Sequence, residues 1–207
     1  MAGITAQAVN EFRKATGLGL MECKALLKEA DGDLKKAMTL AQERGKANAT
    51  KRAGRAARAG RVETYIHHDG KSGSLIEVNC ETDFVARNEE FRQLCKDLAL
   101  QVVAANPVSV RREEIDPAVV EEQRRIFLKQ AEDKPEAIRE KSAEGKLNSW
   151  YSESVLLDQV YVKDSAKKVS DMILEVNART GENISVARFS RFILGETGSA
   201  ETPESEG

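Results

Sequence analysis

The spacing of apolar positions changes period along this 207-residue chain, and each change marks a different kind of element. Over residues 4–44 the spacing is helical. Thr5 is placed to cap a first helix, Ile4 can staple onto Val9, and Val9 and Phe12 share a face. Gly17 and Gly19 end that helix. A second helix is expected from about Leu20 to Ala30, with Leu20, Cys23, Leu27 and Ala30 on one stripe. Asp31-Gly32-Asp33 turns the chain, and Asp33 caps a third helix carrying Leu34, Ala37, Met38 and Ala41. Residues 45–60 are rich in Ala, Gly, Lys and Arg and have almost no large apolar side chain. They cannot bury a core, so a partly helical linker is expected. From Arg61 the period becomes two. Val62, Thr64 and Ile66 alternate, His67 to Gly73 turn the chain, and Leu75 to Val78 return as the second arm of a hairpin. Helical spacing resumes over residues 89–105, through Phe91, Leu94, Cys95, Leu98 and Val102, until Asn106-Pro107 stops it. Further helices are expected over 117–132, with Asp116 as cap and Pro117 at the first position, over 135–149 and over 164–180. Gly181 ends the last, and Ile184, Val186, Arg188 and Phe192 continue as a third strand. One hairpin and a distant strand covered by helices make the fold class α+β.

Composition changes this picture little. Hydrophobic residues at 41% and charged residues at 32% describe a folded, heavily solvated protein. No apolar run approaches the roughly 18–20 residues of a membrane span, and the first residues lack the apolar core of a signal peptide. Cys23, Cys80 and Cys95 are an odd set without CxxC spacing, which reads as buried, reduced thiols and a cytoplasmic location. Charge is more telling in its distribution than in its net value of −2. Arg44 to Arg61 holds seven Lys or Arg and no acid, whereas Glu196 to Gly207 holds four Glu and no base. The basic run could meet RNA phosphate, but no aromatic residue lies between Phe12 and Tyr65 to stack on bases.

Candidate chemistry is sparse. His67 and His68 are the only histidines, adjacent in a turn. Cys80 beside Glu81 has the residue types of a nucleophile pair, but its strand position favours burial. No GxxxxGK[ST] or GxGxxG phosphate motif occurs, so direct nucleotide binding is not expected, nor is a metal or cofactor. The most informative stretch is residues 77–88, Glu-Val-Asn-Cys-Glu-Thr-Asp-Phe-Val-Ala-Arg-Asn. It places Asp83 and Phe84 where the strand gives way to a helix. Junctions on a rigid scaffold are where binding residues concentrate. Phe84 is either an anchor for a partner's pocket or a cap on its own core.

Thr82-Asp83-Phe84-Val85-Ala86-Arg87-Asn88 resembles the TDFVA(K/R)(N/D) signature of elongation factor Ts (EF-Ts), the bacterial exchange factor for the GTPase EF-Tu. The N-terminus agrees independently. Ile4-Thr5-Ala6, Val9, Thr16-Gly17-Leu18-Gly19-Leu20-Met21-Glu22-Cys23-Lys24-Ala25-Leu26 and Asp31-Gly32-Asp33 follow the family's pattern in order and spacing, and the similarity runs to about Gly195. The resemblance implies a UBA-like three-helix module over 1–44, a basic linker over 45–60, an α+β core that also serves dimerisation over 61–195, and a disordered acidic tail over 196–207. It implies a translation elongation factor and guanine nucleotide exchange factor with no active site of its own. In that role Thr82, Asp83, Phe84 and Val85 enter the GTPase and dislodge Mg²⁺, promoting GDP release, while Arg13, Leu20, Met21, Lys24, Arg87 and Asn88 dock against EF-Tu. Leu20 and Met21 are equally well read as core of the small module, Lys24 as a solvated lysine, and Trp150, Tyr151 and Leu156 as packing or a second partner surface. Only one hairpin unit is visible, so the resemblance is to the short form of the family. There two chains pair, and an open sheet edge would be the seam of a homodimer. The competing functions are an RNA- or ribosome-binding protein using the basic linker, a cysteine-dependent enzyme, and a ubiquitin-type adaptor.

Overall fold

Local capping chemistry sets the helices. The Thr5 hydroxyl accepts from the Ala8 N–H at 3.2 Å and opens α1 (Ala6–Thr16). Asp33 accepts from Lys35 and Lys36 N–H at 2.8 and 3.1 Å. Asp116 accepts from Ala118 N–H at 2.8 Å, with Pro117 leading its helix. A computed structural model describes residues 4–196 except 53 and 134. Apart from Glu196, the expected acidic tail lies outside the described residues.

The first unit packs α1, α2 (Leu20–Glu29) and α3 (Leu34–Arg52) around Val9, Phe12, Leu18, Cys23, Leu26 and Leu27. Leu20, expected on the buried stripe, is instead half exposed, and Leu18 from the preceding turn fills the core. The reason is the Gly17 cap. Its left-handed backbone (φ +70°) reverses the chain and turns Leu18 inward; Cys23, Leu27 and Ala30 of the expected stripe are buried, and only Leu20, in the first turn of α2, stays outside. Helix α3 continues through half of the Ala-rich basic stretch and packs on α8 (Val169–Thr180). Small residues make this approach possible: a Cβ on Gly45 would lie 3.9 Å from the Ala178 Cβ.

The second unit is an antiparallel sheet of β1 (Ala59–Ile66), β2 (Ser72–Cys80) and β5 (Ser185–Ile193), in the order β1-β2-β5. The expected hairpin and distant third strand are both present. Val62 pairs with Glu77 and Thr64 with Leu75 across β1 and β2. Leu75 pairs with Ser190 and Gly73 with Phe192 across β2 and β5. Because side chains alternate, one face buries Ile76, Val78 and Val186 against α5 (Glu89–Ala105) and α8. The other face leaves Val62, Ile66, Leu75 and Phe192 exposed.

Helices α6 (Pro117–Lys129) and α7 (Glu136–Ser154) form a hairpin of their own. Two boundaries depart from the periodic reading. Helix α7 runs on to Ser154 and carries Trp150 and Tyr151 in its last turns. There the rings contact at 5.2 Å, and the Arg112 guanidinium lies 4.5 Å over Tyr151. Leu156 beyond it is fully buried, so it is a packing residue. The helix expected over 164–180 starts only at Val169, because Asp164–Lys168 is β4, paired with β3 (Val160–Tyr161). That small ribbon is pinned from outside. The Gln101 side chain of α5 donates to the Val160 carbonyl at 3.1 Å and accepts from Val162 N–H at 2.9 Å. This fully buried amide anchors β3 and the turn after it, and Asp164–Lys168 pairs back on that strand.

Candidate functional site

Strand β2 delivers Cys80 into the core, and the chain then makes a single helical turn, α4 (Asp83–Ala86), before α5 begins. Thr82 is the N-cap, its hydroxyl accepting from Val85 N–H at 3.4 Å. The Asp83 carboxylate sits in the first turn, where the helix amides favour a negative charge. Val85 and Ala86 are buried among the residues under the sheet, at 6% and 8% exposure. Asn88 then caps α5 by accepting from Glu90 N–H at 2.9 Å. Between these anchored positions Phe84 is 86% exposed. It does not cap its own core. A large apolar ring is thus presented to solvent on a turn anchored at both ends.

The expected residues therefore divide. Thr82 and Asn88 spend their side chains on caps, Val85 is a buried foot, and Asp83, Phe84 and Arg87 face solvent. In the N-terminal unit Arg13, Leu20, Met21 and Lys24 are all exposed, with Met21 at 76%. Leu20 and Met21 follow Gly19 at the start of α2, so two apolar side chains stand at the tip of a turn.

The two exposed groups share a support. Arg179, near the end of α8, packs so closely under Gly17 that an added Cβ there would lie 2.3 Å from its Cδ. Arg179 also forms an ion pair with Glu90 at the start of α5. At the end of α8, Glu182 reaches the exchange of strand for helix at Thr82: it accepts from Glu81 N–H at 3.0 Å, Thr82 N–H at 3.1 Å and the Thr82 hydroxyl at 2.5 Å. Nothing in the sequence pattern marks Glu182, which lies a hundred residues downstream of Thr82.

The rival chemistries fare differently. Much of the basic stretch is spent inside the protein. Arg44 pairs with Glu29, Arg55 with Glu81 at 3.5 Å and Arg61 with Glu63 at 2.9 Å, while Arg52 donates to the Asn177 carbonyl at 3.4 Å. Three of these cations are paired with carboxylates and the fourth is held on a carbonyl, rather than all being presented together to phosphate. Burial, aided by the Glu182 carboxylate, pushes the Cys80 thiol up to about 11; burial likewise pushes Cys95 up to about 12. Such thiols are poor nucleophiles at neutral pH. Among the described residues no group of three or more His, Cys, Asp or Glu is placed to hold a metal ion, and no helix is long and apolar enough to cross a membrane.

Comparison with known sequences bears on the same segments. The family described as Elongation factor TS matches residues 20–196, which include both exposed groups except Arg13. A protein of Geobacter metallireducens named Elongation factor Ts is 52% identical over 195 residues, covering 93% of this chain and 90% of its own length. One of the same name from Geotalea daltonii is 51% identical over 195 residues with the same coverage. Another from Finegoldia magna is 48% identical over 206 residues, covering 95% and 92%. The relatives are thus of nearly this length.

Proposed function

The chain belongs to the elongation factor Ts family, and we propose that this nucleotide exchange factor of translation elongation releases GDP from EF-Tu with Phe84 as its lever. An exchange factor catalyses no covalent step of its own. It binds the nucleotide-free GTPase more tightly than the loaded one, and by linkage the nucleotide weakens the factor in return. The observation that carries the reading is the 86% exposure of Phe84 on a turn whose next two residues are buried. A ring presented on a fixed support loses little further freedom on docking, so its contact energy goes into displacing groups of the partner. Thr82 to Val85 enter beside the Mg²⁺ and phosphate site, with Phe84 wedging between partner side chains and Asp83 adding a carboxylate. Moving the elements that hold Mg²⁺ leaves the nucleotide's phosphate charge less neutralised, and GDP departs.

The rest of the surface supplies docking. Leu20 and Met21 offer apolar area, Arg13 and Lys24 offer charge, and Arg87 and Asn88 flank the lever. The division of labour follows the domain reading: residues 1–44 bind, the segment 45–60 connects, and 61–195 carry the lever and the dimer contact. The homodimer is proposed through the outer face of the sheet rather than its edge. Val62, Ile66, Leu75 and Phe192 form an apolar surface there, exposed at 59%, 71%, 44% and 68%. A surface of that kind on one side of a three-stranded sheet is suited to covering by its own copy.

The test is release of a fluorescent GDP analogue from EF-Tu with catalytic amounts of this chain. Phe84→Ala is expected to slow stimulated release at least about tenfold, consistent with about 2–4 kcal/mol for an inserted aromatic. Its melting temperature should hold, because an exposed ring contributes little to the fold. Unchanged release in Phe84→Ala would remove the lever.

A further inference from the structure

We propose that Glu182 is a positioning residue for exchange: its carboxylate, delivered by the turn between α8 and β5, fixes the angle at which Phe84 projects. The inference rests on the reading of Phe84 as the lever. A four-residue helix has no stability of its own, so the geometry of α4 must be imposed from outside. Its cap is weak, since the Val85 N–H to Thr82 hydroxyl distance is 3.4 Å. The stronger restraint is Glu182. One carboxylate oxygen accepts from two successive backbone N–H groups, Glu81 and Thr82, and the other accepts from the Thr82 hydroxyl at 2.5 Å. The clasp is reciprocal. Asn183 N–H donates to the Glu81 carboxylate at 2.7 Å, and the Asn183 side-chain amide donates to the Arg55 carbonyl at 3.0 Å. Arg55 in turn pairs with Glu81 at 3.5 Å.

The turn that offers Glu182 is itself held. Gly181 caps α8 in the left-handed region (φ +76°), and Asn177 accepts from Ile184 N–H at 3.1 Å. A carboxylate is the right group because it only accepts, and all three facing groups donate. Glutamine keeps an oxygen for the two N–H groups but loses the charge, and its NH₂ forces the Thr82 hydroxyl to accept instead of donate. Alanine would leave the junction free to swing, with Phe84 sampling unproductive directions. Glu182 acts in this proposal through the Thr82 junction and not by touching the partner, so the effect should fall on the maximal rate and not on docking.

The experiment measures stimulated GDP release, at saturating and sub-saturating concentrations of the full chain, for Glu182→Ala, Glu182→Gln and Phe84→Ala, and for Glu182→Ala combined with Phe84→Ala. It is paired with hydrogen exchange of the Glu81 and Thr82 amides. Glu182→Ala should lower the maximal rate about five- to tenfold, with the half-saturating concentration within about twofold of the parent. Glu182→Gln should fall between. In the Phe84→Ala background Glu182→Ala should cost less than about twofold more, because both act through one ring. The two amides should lose protection in Glu182→Ala. A purely structural clip would lower stability and add in full to the Phe84 effect, which overturns the proposal. Parent-like release by Glu182→Ala beside a slow Phe84→Ala overturns this inference alone. Parent-like release by Phe84→Ala overturns it together with the lever. If Glu182→Ala does not fold, Glu182→Gln, of equal volume, carries both measurements, and parental release with retained amide protection overturns the proposal.

Discussion

Cys80 lies two residues before Thr82 and donates to the Thr82 carbonyl at 3.2 Å, so its thiol borders the segment that presents Phe84. Its environment keeps it protonated. Burial is the leading cause and the Glu182 carboxylate the second, and together they push it up to about 11, while Cys95 reaches about 12. A thiol so raised is a thiolate only far above neutral pH. Iodoacetamide at pH 8 should therefore leave Cys80 and Cys95 unmodified in the folded chain, and both should react once it is denatured, as read by mass spectrometry. Rapid labelling of Cys80 in the native protein would contradict this placement. Phe84 shows the same logic reversed. The sequence admitted both a buried and a presented ring, and the choice came from its neighbours: Val85 and Ala86 occupy the space beneath the turn, leaving Phe84 outside.

At the scale of elements, the end of α8 is the hub. It meets the N-terminal unit through Ala178, Arg179 and the Asn177 carbonyl, and the segment before Phe84 through Glu182 and Asn183. Gly17 is a tight point of this arrangement. It combines a φ of +70° with an approach that puts a new Cβ 2.3 Å from the Arg179 Cδ. Gly17→Ala should destabilise the N-terminal unit by about 1–2 kcal/mol from the backbone alone, and more if Arg179 is driven off Glu90. Gly19→Ala is the contrast, because nothing lies within 4 Å of the added carbon and φ is −61°. Thermal unfolding should rank Gly17→Ala well below Gly19→Ala; equal midpoints would show that the Arg179 contact is dispensable.

For the whole molecule, the proposed dimer turns on the two faces of the sheet. Its inner face is covered by α5 and α8, but its outer face carries Val62, Ile66, Leu75 and Phe192 in water. Sedimentation at micromolar concentration should find a dimer, and Phe192→Asp should yield a folded monomer with the inner core intact. A parent chain that sediments as a monomer would end the dimer proposal. Dimerisation also makes the melting temperature depend on protein concentration, a dependence that Phe192→Asp should abolish.

What can be read from the chain is whatever is encoded within a few residues. Helix periods, the caps at Thr5, Asp33 and Asp116, the stops at Asn106 and Gly181, the hairpin, and the Thr82 to Asn88 motif all rest on contacts between near neighbours. Those were enough for the α+β class and for the family. The remainder rests on partners remote in sequence. Pairing with β3, which Gln101 anchors at Val160 and Val162, holds Asp164–Lys168 as strand, and Leu18 takes the core position expected of Leu20. Glu182, a hundred residues from Thr82, accepts from the two backbone N–H groups that lead into the Phe84 turn. A local pattern records which face of an element is apolar, but not which distant donor or carboxylate that face will meet. Folding brings those groups within hydrogen-bond distance, and there the buried polar atoms must be satisfied.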